Sequence, residues 1–351
     1  MNKRIFRLFL LILLFSCKSP SLISDYGIDK KDQFFSIAVL PDTQYYTAMR
    51  YGGTMKMFQN QINWIIKNKD KEKIAYVIHL GDVTDKNTQE EWERAKTELY
   101  KLEAHNIPYG VAVGNHDQTP NGNPAKGDDQ TYYNKYFGKD HFIGKHWYGS
   151  SLGNNNSNDD HFDIFESNGL KFLVMYFAYN QPGTTHYSES YERIVMRWAD
   201  SVLSANRDRK AILVSHSTMG RGKNETSATT PGQGSNDNPG QFTKQGKVIY
   251  DMAKHHNNVF LMLGGHIAGE SFRKETYNGN VIKAYLADYQ SRQNPPYSGT
   301  KDRNGGNGSM RLMRFNITKH TLSVITFVPK DDGSVVMEVD GDSQFTEALF
   351  N

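Results

Sequence analysis

The sequence predicts an α/β fold in which two mixed β-sheets pack face to face with helices on the outside. Three observations carry this expectation. Short apolar runs alternate with amphipathic stretches over residues 34–263, the last third turns to strands without helices between them, and oxygen- and imidazole-bearing residues follow several of the apolar runs directly. At 351 residues the chain has length for one large domain or two modest ones, and its 37% hydrophobic and 23% charged content is ordinary for a globular protein. The organisation read here is a signal over 1–16, a tether over 17–33 and a single domain over 34–351.

The N-terminus has the character of a targeting segment. Lys3, Arg4 and Arg7 precede an apolar stretch from Leu8 to Phe15, too short to cross a membrane as a stable helix. It closes on Leu14-Phe15-Ser16-Cys17, which resembles a bacterial lipobox whose Cys is lipidated and becomes the first mature residue. Phe15 stands where a small residue is usual, so a cleaved secretory signal is the other reading. The protein is therefore expected at the cell envelope, as a periplasmic or surface lipoprotein, or secreted. Cys17 is the single cysteine, which excludes a disulfide framework. Cleavage removes three of the 41 basic residues and balances the rest against 38 acidic ones. A neutral mature chain makes no electrostatic case for nucleic acid, and membrane contact is expected only through the lipid anchor.

Strands are read at 35–41, 74–80, 107–113, 170–179, 210–215 and 258–263, near-continuous apolar runs of the kind that is covered on both faces. Helices lie between them. Met55, Phe58, Ile62 and Ile65 share one face of a helix near 54–68, and Trp92, Ala95, Leu99 and Leu102 share one near 88–105. A Thr88-x-x-Glu91 capping box opens the second. Further helices are expected near 188–205 and 243–256, and late strands at 281–289, 310–317, 321–328 and 334–339 in a meander-like antiparallel arrangement. Long polar loops at 118–134, 149–161, 218–241 and 291–308 are read as substrate-shaping segments or surface insertions.

The chemistry-bearing patches are Pro41-Asp42-Thr43-Gln44, Gly81-Asp82-Val83-Thr84-Asp85, Gly114-Asn115-His116-Asp117, Ser215-His216-Ser217 and Gly264-Gly265-His266. Hard oxygen ligands and neutral imidazoles delivered to one rim are what metal-assisted hydrolysis requires. In open α/β sheets that rim is the carboxyl end of the strands, and one parallel sheet is expected to gather the set. Asp82 follows the run at 74–80, Asn115 that at 107–113, His216 that at 210–215 and His266 that at 258–263. Ser215 and Ser217 flank His216 without an aspartate placed to build a nucleophilic triad.

The order and spacing of these motifs resemble the calcineurin-like metallophosphoesterase family over roughly residues 34–290. The resemblance implies a four-layer sandwich and hydrolysis of phosphomonoesters or phosphodiesters by a metal-bound hydroxide. It implies that Asp42 opens the first metal position, that Asp82 bridges, and that Asn115, His216 and His266 complete the second position. His116 matches the non-ligand histidine that protonates the leaving group, and Asp85 the carboxylate that orients it. Asp117 is read as structural. Two departures weaken the first position: Gln44 stands where the family has His, and Ala268 where it has the last His. The expectation is one or two divalent ions (Mn, Fe, Zn or Mg), with a tight second site and an oxygen-rich first site that uses the Gln44 amide. Arg292 is a candidate substrate-binding cation, or else a solvated surface residue.

The expected substrate is a phosphorylated small molecule, a lipid headgroup or a glycan. A metal-dependent polysaccharide lyase or hydrolase using the same site is the alternative, and a non-catalytic binding lipoprotein the third reading. His79 is expected to pack beside the bridging aspartate, and His105, His255, His256 and His320 to be exposed. His141, His146, His161 and His186 are weak candidates for lining the substrate cleft.

Overall fold

A strand covered on both faces needs apolar residues at every position. Phe34–Leu40, apolar but for Ser36, and Val259–Gly264 meet that need, burying every residue they contain. The structure, a computed structural model, describes residues 28–118, 131–153, 155–185, 187–222, 240–290, 305–338 and 341–350. The targeting segment with Cys17, together with His186 and Arg292, lies outside these residues. So do most of the loops read at 118–134, 218–241 and 291–308.

In chain order the strands are β1 (Phe34–Leu40), β2 (Ile74–His79), β3 (Tyr109–Val111), β4 (Tyr148–Ser151), β5 (His161–Ser167), β6 (Leu170–Phe177), β7 (Lys210–Ser215) and β8 (Met219–Gly222). They continue as β9 (Gly240–Phe242), β10 (Val259–Gly264), β11 (Gly269–Tyr277), β12 (Asn280–Asp288), β13 (Met310–Asn316), β14 (Thr321–Pro329), β15 (Val335–Met337) and β16 (Gln344–Ala348). The helices are α1 (Gln44–Thr47), α2 (Met55–Asn68), α3 (Gln89–Ala104), α4 (Thr131–Phe137), α5 (Lys139–Phe142), α6 (Glu189–Ala205) and α7 (Lys244–Ala253).

Two seven-stranded mixed sheets result. The first runs β15-β14-β13-β1-β2-β3 with β16 also on β14, and the second runs β11-β12-β10-β7-β6-β5-β4. The β1-β2-β3 and β6-β7-β10-β12 ladders are parallel, as expected where helices α2, α3, α6 and α7 carry the chain back between strands. The late strands pair antiparallel in part only. β13 and β14 form a meander on the first sheet, whereas β12 crosses to lie parallel to β10 in the second.

Side chains of β6 divide by period two. Phe172, Val174 and Tyr176 point into the core between the sheets, while Leu173, Met175 and Phe177 join Val195, Ala199 and Leu203 of α6 and Ile249 of α7. Phe58, Ile62 and Ile65 of α2 and Trp92, Ala95, Leu99 and Leu102 of α3 cover the other outer face. The capping box at the start of α3 is present in both directions. The order is thus helices, sheet, sheet, helices. Asp42, Asp82 and Asn115 follow strands of the first sheet, and His216 and His266 follow strands of the second. The expectation of one gathering sheet is corrected accordingly: the carboxyl ends of two sheets meet at one edge.

Candidate metal centre

Each loop at this edge is tied to the next. Thr43 donates its N–H to the Asp82 carbonyl at 3.1 Å. Gly81 (φ 97°) and Asp82 (φ 48°) take left-handed backbone conformations, as does His266 (φ 70°). For non-glycine residues this conformation costs of order 1–3 kcal/mol each and tends to persist at functional sites. Asp117 is a structural crosslink: its carboxylate accepts from Thr84 N–H at 2.9 Å, Thr84 Oγ1 at 3.1 Å and Gly114 N–H at 2.9 Å. Gly114 is required because a Cβ there would overlap Asp82 Oδ1 and the Asp82 backbone. The next two residues are Asn115, which is buried, and His116, whose N–H donates to Asp82 Oδ1 at 3.0 Å.

Asp82, His216 and His266 each offer a ligand atom, and the three atoms lie within 4.8 Å of one another. His216 Nδ1 meets the Leu80 carbonyl at 3.0 Å. A carbonyl only accepts, so Nδ1 carries a proton and Nε2 is the nitrogen presented inward. That nitrogen stands 3.1 Å from Asp82 Oδ2 and 4.0 Å from Asp42 Oδ2. Asp42 in turn accepts the His266 N–H at 3.2 Å and lies so close to Gly265 that a Cβ there would overlap its Oδ1.

The electrostatics are those of a crowded anionic pocket. Burial, and next the charge of Asp288, hold Asp42 well above the carboxylate range against the attraction of His216. Burial opposes a charge on His216, yet Asp82 and Asp42 lift it to about 10. Burial and the charge of His216 push His266 down to about 4. Burial likewise drives His79 down to about 3, so it is neutral: it accepts from Gly81 N–H and meets Thr43 Oγ1 at 3.0 Å.

His116 sits at the rim of this group, its side chain 26% exposed. Its Nδ1 donates to the backbone carbonyl of Asp85 at 2.8 Å, while the Asp85 carboxylate is farther off at 3.6 Å. That carboxylate instead pairs with Arg50 at 2.6 Å. Sequence reasoning passed over Arg50, and it passed over two other residues. Tyr179, just beyond β6, has its ring 5.0 Å from that of His266 and bonds Val113 across the sheets. Asp288 ends β12 as a buried acid. An aromatic or acidic residue closing a strand at the same edge was the available signal for both. Gln44 is buried at the start of α1, two residues beyond Asp42. Other histidines pack elsewhere: His141 with Glu103, and His161 stacked on Tyr176. His256, expected exposed, is 8% exposed and paired with Asp200 at 2.9 Å because it closes the turn into β10.

Metal ions fit these residues. Asp42 Oδ1 and Gln44 Oε1 are buried without a hydrogen-bond partner among the described residues, a costly state for polar atoms that a cation relieves. The donors are carboxylate, amide and imidazole, the set that divalent first-row ions and Mg accept. Asp82, Asn115, His216 and His266 would hold one ion, and Asp42, Gln44 and Asp82 a second.

Ligands shared between the ends of two packed sheets make the molecule a two-sheet α/β sandwich with a candidate metal centre at one edge. The chain belongs to the calcineurin-like phosphoesterase family, whose sequence profile matches residues 35–270. A Bacillus subtilis (strain 168) relative, the uncharacterized protein YvnB, is 28% identical over 320 residues, covering 89% of this chain and 21% of that one. The chain thus spans about a fifth of that relative's length. The fold is shared with a dimetal phosphatase from Danio rerio (TM-score 0.52, 12% identity, 91% of this chain and 100% of that one). It is also shared with the purple acid phosphatase PPD1 of yellow lupin seeds (TM-score 0.53, 14% identity, 91% of this chain and 54% of that one).

Proposed function

We propose that the protein hydrolyses a phosphomonoester or phosphodiester at the bacterial cell envelope, with His116 as the proton donor to the leaving group. The observation carrying this reading is the convergence of the Asp82, His216 and His266 ligand atoms within 4.8 Å, with the His116 backbone bonded to the same Asp82. Divalent ions bound there supply Lewis acidity toward the phosphoryl oxygens and a water of lowered pKa.

The chain's own residues do the rest. Because Nδ1 of His116 is committed to the Asp85 carbonyl, Nε2 is the nitrogen left to carry a proton. A water oxygen, giving up a proton to solvent, bonds to phosphorus as the ester phosphorus–oxygen bond breaks. The electron pair of the broken bond goes to the leaving oxygen, which takes the His116 proton. Arg50 holds the Asp85 segment in place. Tyr179 walls the imidazole side of the centre and shields it from water. Sugar phosphates, phospholipid headgroups and nucleotides are the substrate classes proposed. The envelope assignment rests on the N-terminal segment, and Cys17→Ser is expected to release the protein from membranes.

The test is metal analysis of the purified protein beside assays on 4-nitrophenyl phosphate and bis(4-nitrophenyl) phosphate with and without Mn. Turnover that needs the metal and falls about 100-fold or more in His116→Ala, with metal content unchanged, supports the reading. No turnover of either ester, nor of a panel of the three proposed classes with metal restored, overturns it.

A further inference from the structure

The family pattern places a second imidazole at position 268, and this chain has Ala268. What stands next to that gap is a carboxylate. In the second sheet Gly264 of β10 pairs with Leu286 of β12, and Gly269 of β11 pairs with Asp288. The four-residue turn 265–268, which carries His266 and Ala268, therefore lies beside the end of β12, and Asp288 is the residue at that end. Asp42 lies against the same turn from the other sheet, through His266 N–H and the Gly265 backbone. Two carboxylates thus flank the segment from which an imidazole is absent.

Asp288 is 1% exposed, and its two oxygens are held in place by Gln290, Oδ1 by the backbone N–H at 2.9 Å and Oδ2 by the side-chain amide at 2.8 Å. Both bonds use a single donor per oxygen and leave lone pairs over. A buried guanidinium, Arg311, bonds the Leu286 carbonyl but gives its charge to Glu270 at 2.6 Å. Burial lifts Asp288 to about 6 even against those Gln290 bonds. Asp42, Asp82 and Asp288 are together three buried acids, with His216 facing the first two. Asp42 Oδ1 and Gln44 Oε1, both on buried side chains, still lack partners among the described residues. Holding a proton relieves part of the cost of burying such acids together, and a cation among their oxygens relieves it without leaving Asp42 Oδ1 and Gln44 Oε1 unmatched.

We propose that Asp288 supplies the ligand that Ala268 cannot, so that the first metal position is built from oxygen alone: Asp42, Gln44, the shared Asp82 and Asp288. This rests on the metal-centre reading above. The second position keeps its two imidazoles. The two positions therefore differ in preference, the oxygen-only one taking Mn, Mg or Ca and the imidazole one taking Zn or Fe. The protein is an asymmetric binuclear centre rather than a damaged one.

The probe is metal alone, independent of any substrate. Full-length protein stripped with chelator is titrated with Mn by calorimetry and by the Mn electron paramagnetic resonance signal, with and without one equivalent of Zn already bound. The expected result is two sites, with Zn leaving one Mn site open. In Asp288→Asn that Mn site weakens at least about tenfold while Zn binding is unchanged. Adding Ala268→His to Asp288→Asn restores a second site, now selective for Zn. Asp288→Asn conserves shape, and circular dichroism matching the parent shows that it folds. Unchanged Mn affinity in a folded Asp288→Asn overturns the proposal, as does a parent that binds one ion only. Two-site binding with the Asp288→Asn defect, in a protein that cleaves no phosphoester, leaves this inference standing and removes the functional one.

Discussion

Arg50 Nη1 lies 2.6 Å from Asp85 Oδ2, and the backbone carbonyl of that same aspartate receives His116 Nδ1 at 2.8 Å. The histidine is thereby fastened to a loop in an unfavourable backbone state. Met49 (φ 53°) and Tyr51 (φ 50°) on either side of Arg50 are both left-handed, and both are about half exposed, so burial gives them little in return. The ion pair is what the loop accomplishes.

Arg50→Met is therefore expected to keep its metals and lower turnover most for substrates that need a proton. An alkyl phosphate should lose about tenfold more activity than 4-nitrophenyl phosphate, whose phenolate leaves unaided. Arg50→Lys should recover part of the loss. Equal losses on both substrates would show that Arg50 acts on something other than His116.

Two glycines set the spacing of the carboxylates. A Cβ at Gly265 would overlap Asp42 Oδ1, and one at Gly114 would overlap Asp82 Oδ1 together with its backbone nitrogen. Gly265→Ala and Gly114→Ala should each weaken metal binding about tenfold or more while the far-ultraviolet spectrum stays that of the parent. Gly341→Ala, with nothing within 4 Å among the described residues, is the matched control. Parent-like metal affinity in Gly265→Ala would mean that Asp42 does not rest on that turn in solution.

The legible parts of this fold were those where burial leaves one choice of residue. β6, β7 and β10 are covered on both faces and read as apolar runs. β5 and β11 did not read as strands, because His-Phe-Asp-Ile-Phe-Glu-Ser and Gly-Glu-Ser-Phe-Arg-Lys-Glu-Thr-Tyr carry polar groups whose partners come from distant segments. Asp163 of β5 is buried against Tyr76, and Glu270 of β11 against Arg311. No local pattern announces such pairs. The run at 107–113 is a strand only over β3, since Ala112 bonds the His79 carbonyl and the chain then turns to deliver Asn115. In the site, the motif residues were visible because metal ligands must sit at strand ends. Arg50 was not, since it acts across the sequence on a partner that only the fold brings near, and Asp288, though it closes a strand, stands outside the motifs.

Removing metal should destabilise the protein through those buried acids. Ligand binding to the native state alone adds about 2.7 kcal/mol at a hundredfold excess over Kd. Chelation is expected to lower Tm by several degrees, and Mn to restore it in a concentration-dependent way. In His266→Ala the rise with Zn should shrink while the rise with Mn persists. A Tm indifferent to chelator in the parent would place the stability of this edge elsewhere.

A different buried acid should make stability depend on pH away from the centre. Asp160 accepts from Ala178 N–H at 3.0 Å and from the Tyr191 hydroxyl at 2.5 Å, and burial nevertheless lifts it to about 6. Its folded value lies above its unfolded one, so the native state holds the proton longer. Stability is then highest below about pH 4 and declines as pH rises through about 6, as the unfolded chain ionises and the native one resists. A shift of about two pH units corresponds to roughly 3 kcal/mol at full extent. Asp160→Asn keeps the acceptor for Ala178 and removes the titration. Its Tm relative to the parent should rise steadily from pH 4 to pH 7 and then level off. A difference that is flat over that range would mean that Asp160 ionises in the folded protein as readily as in the unfolded chain.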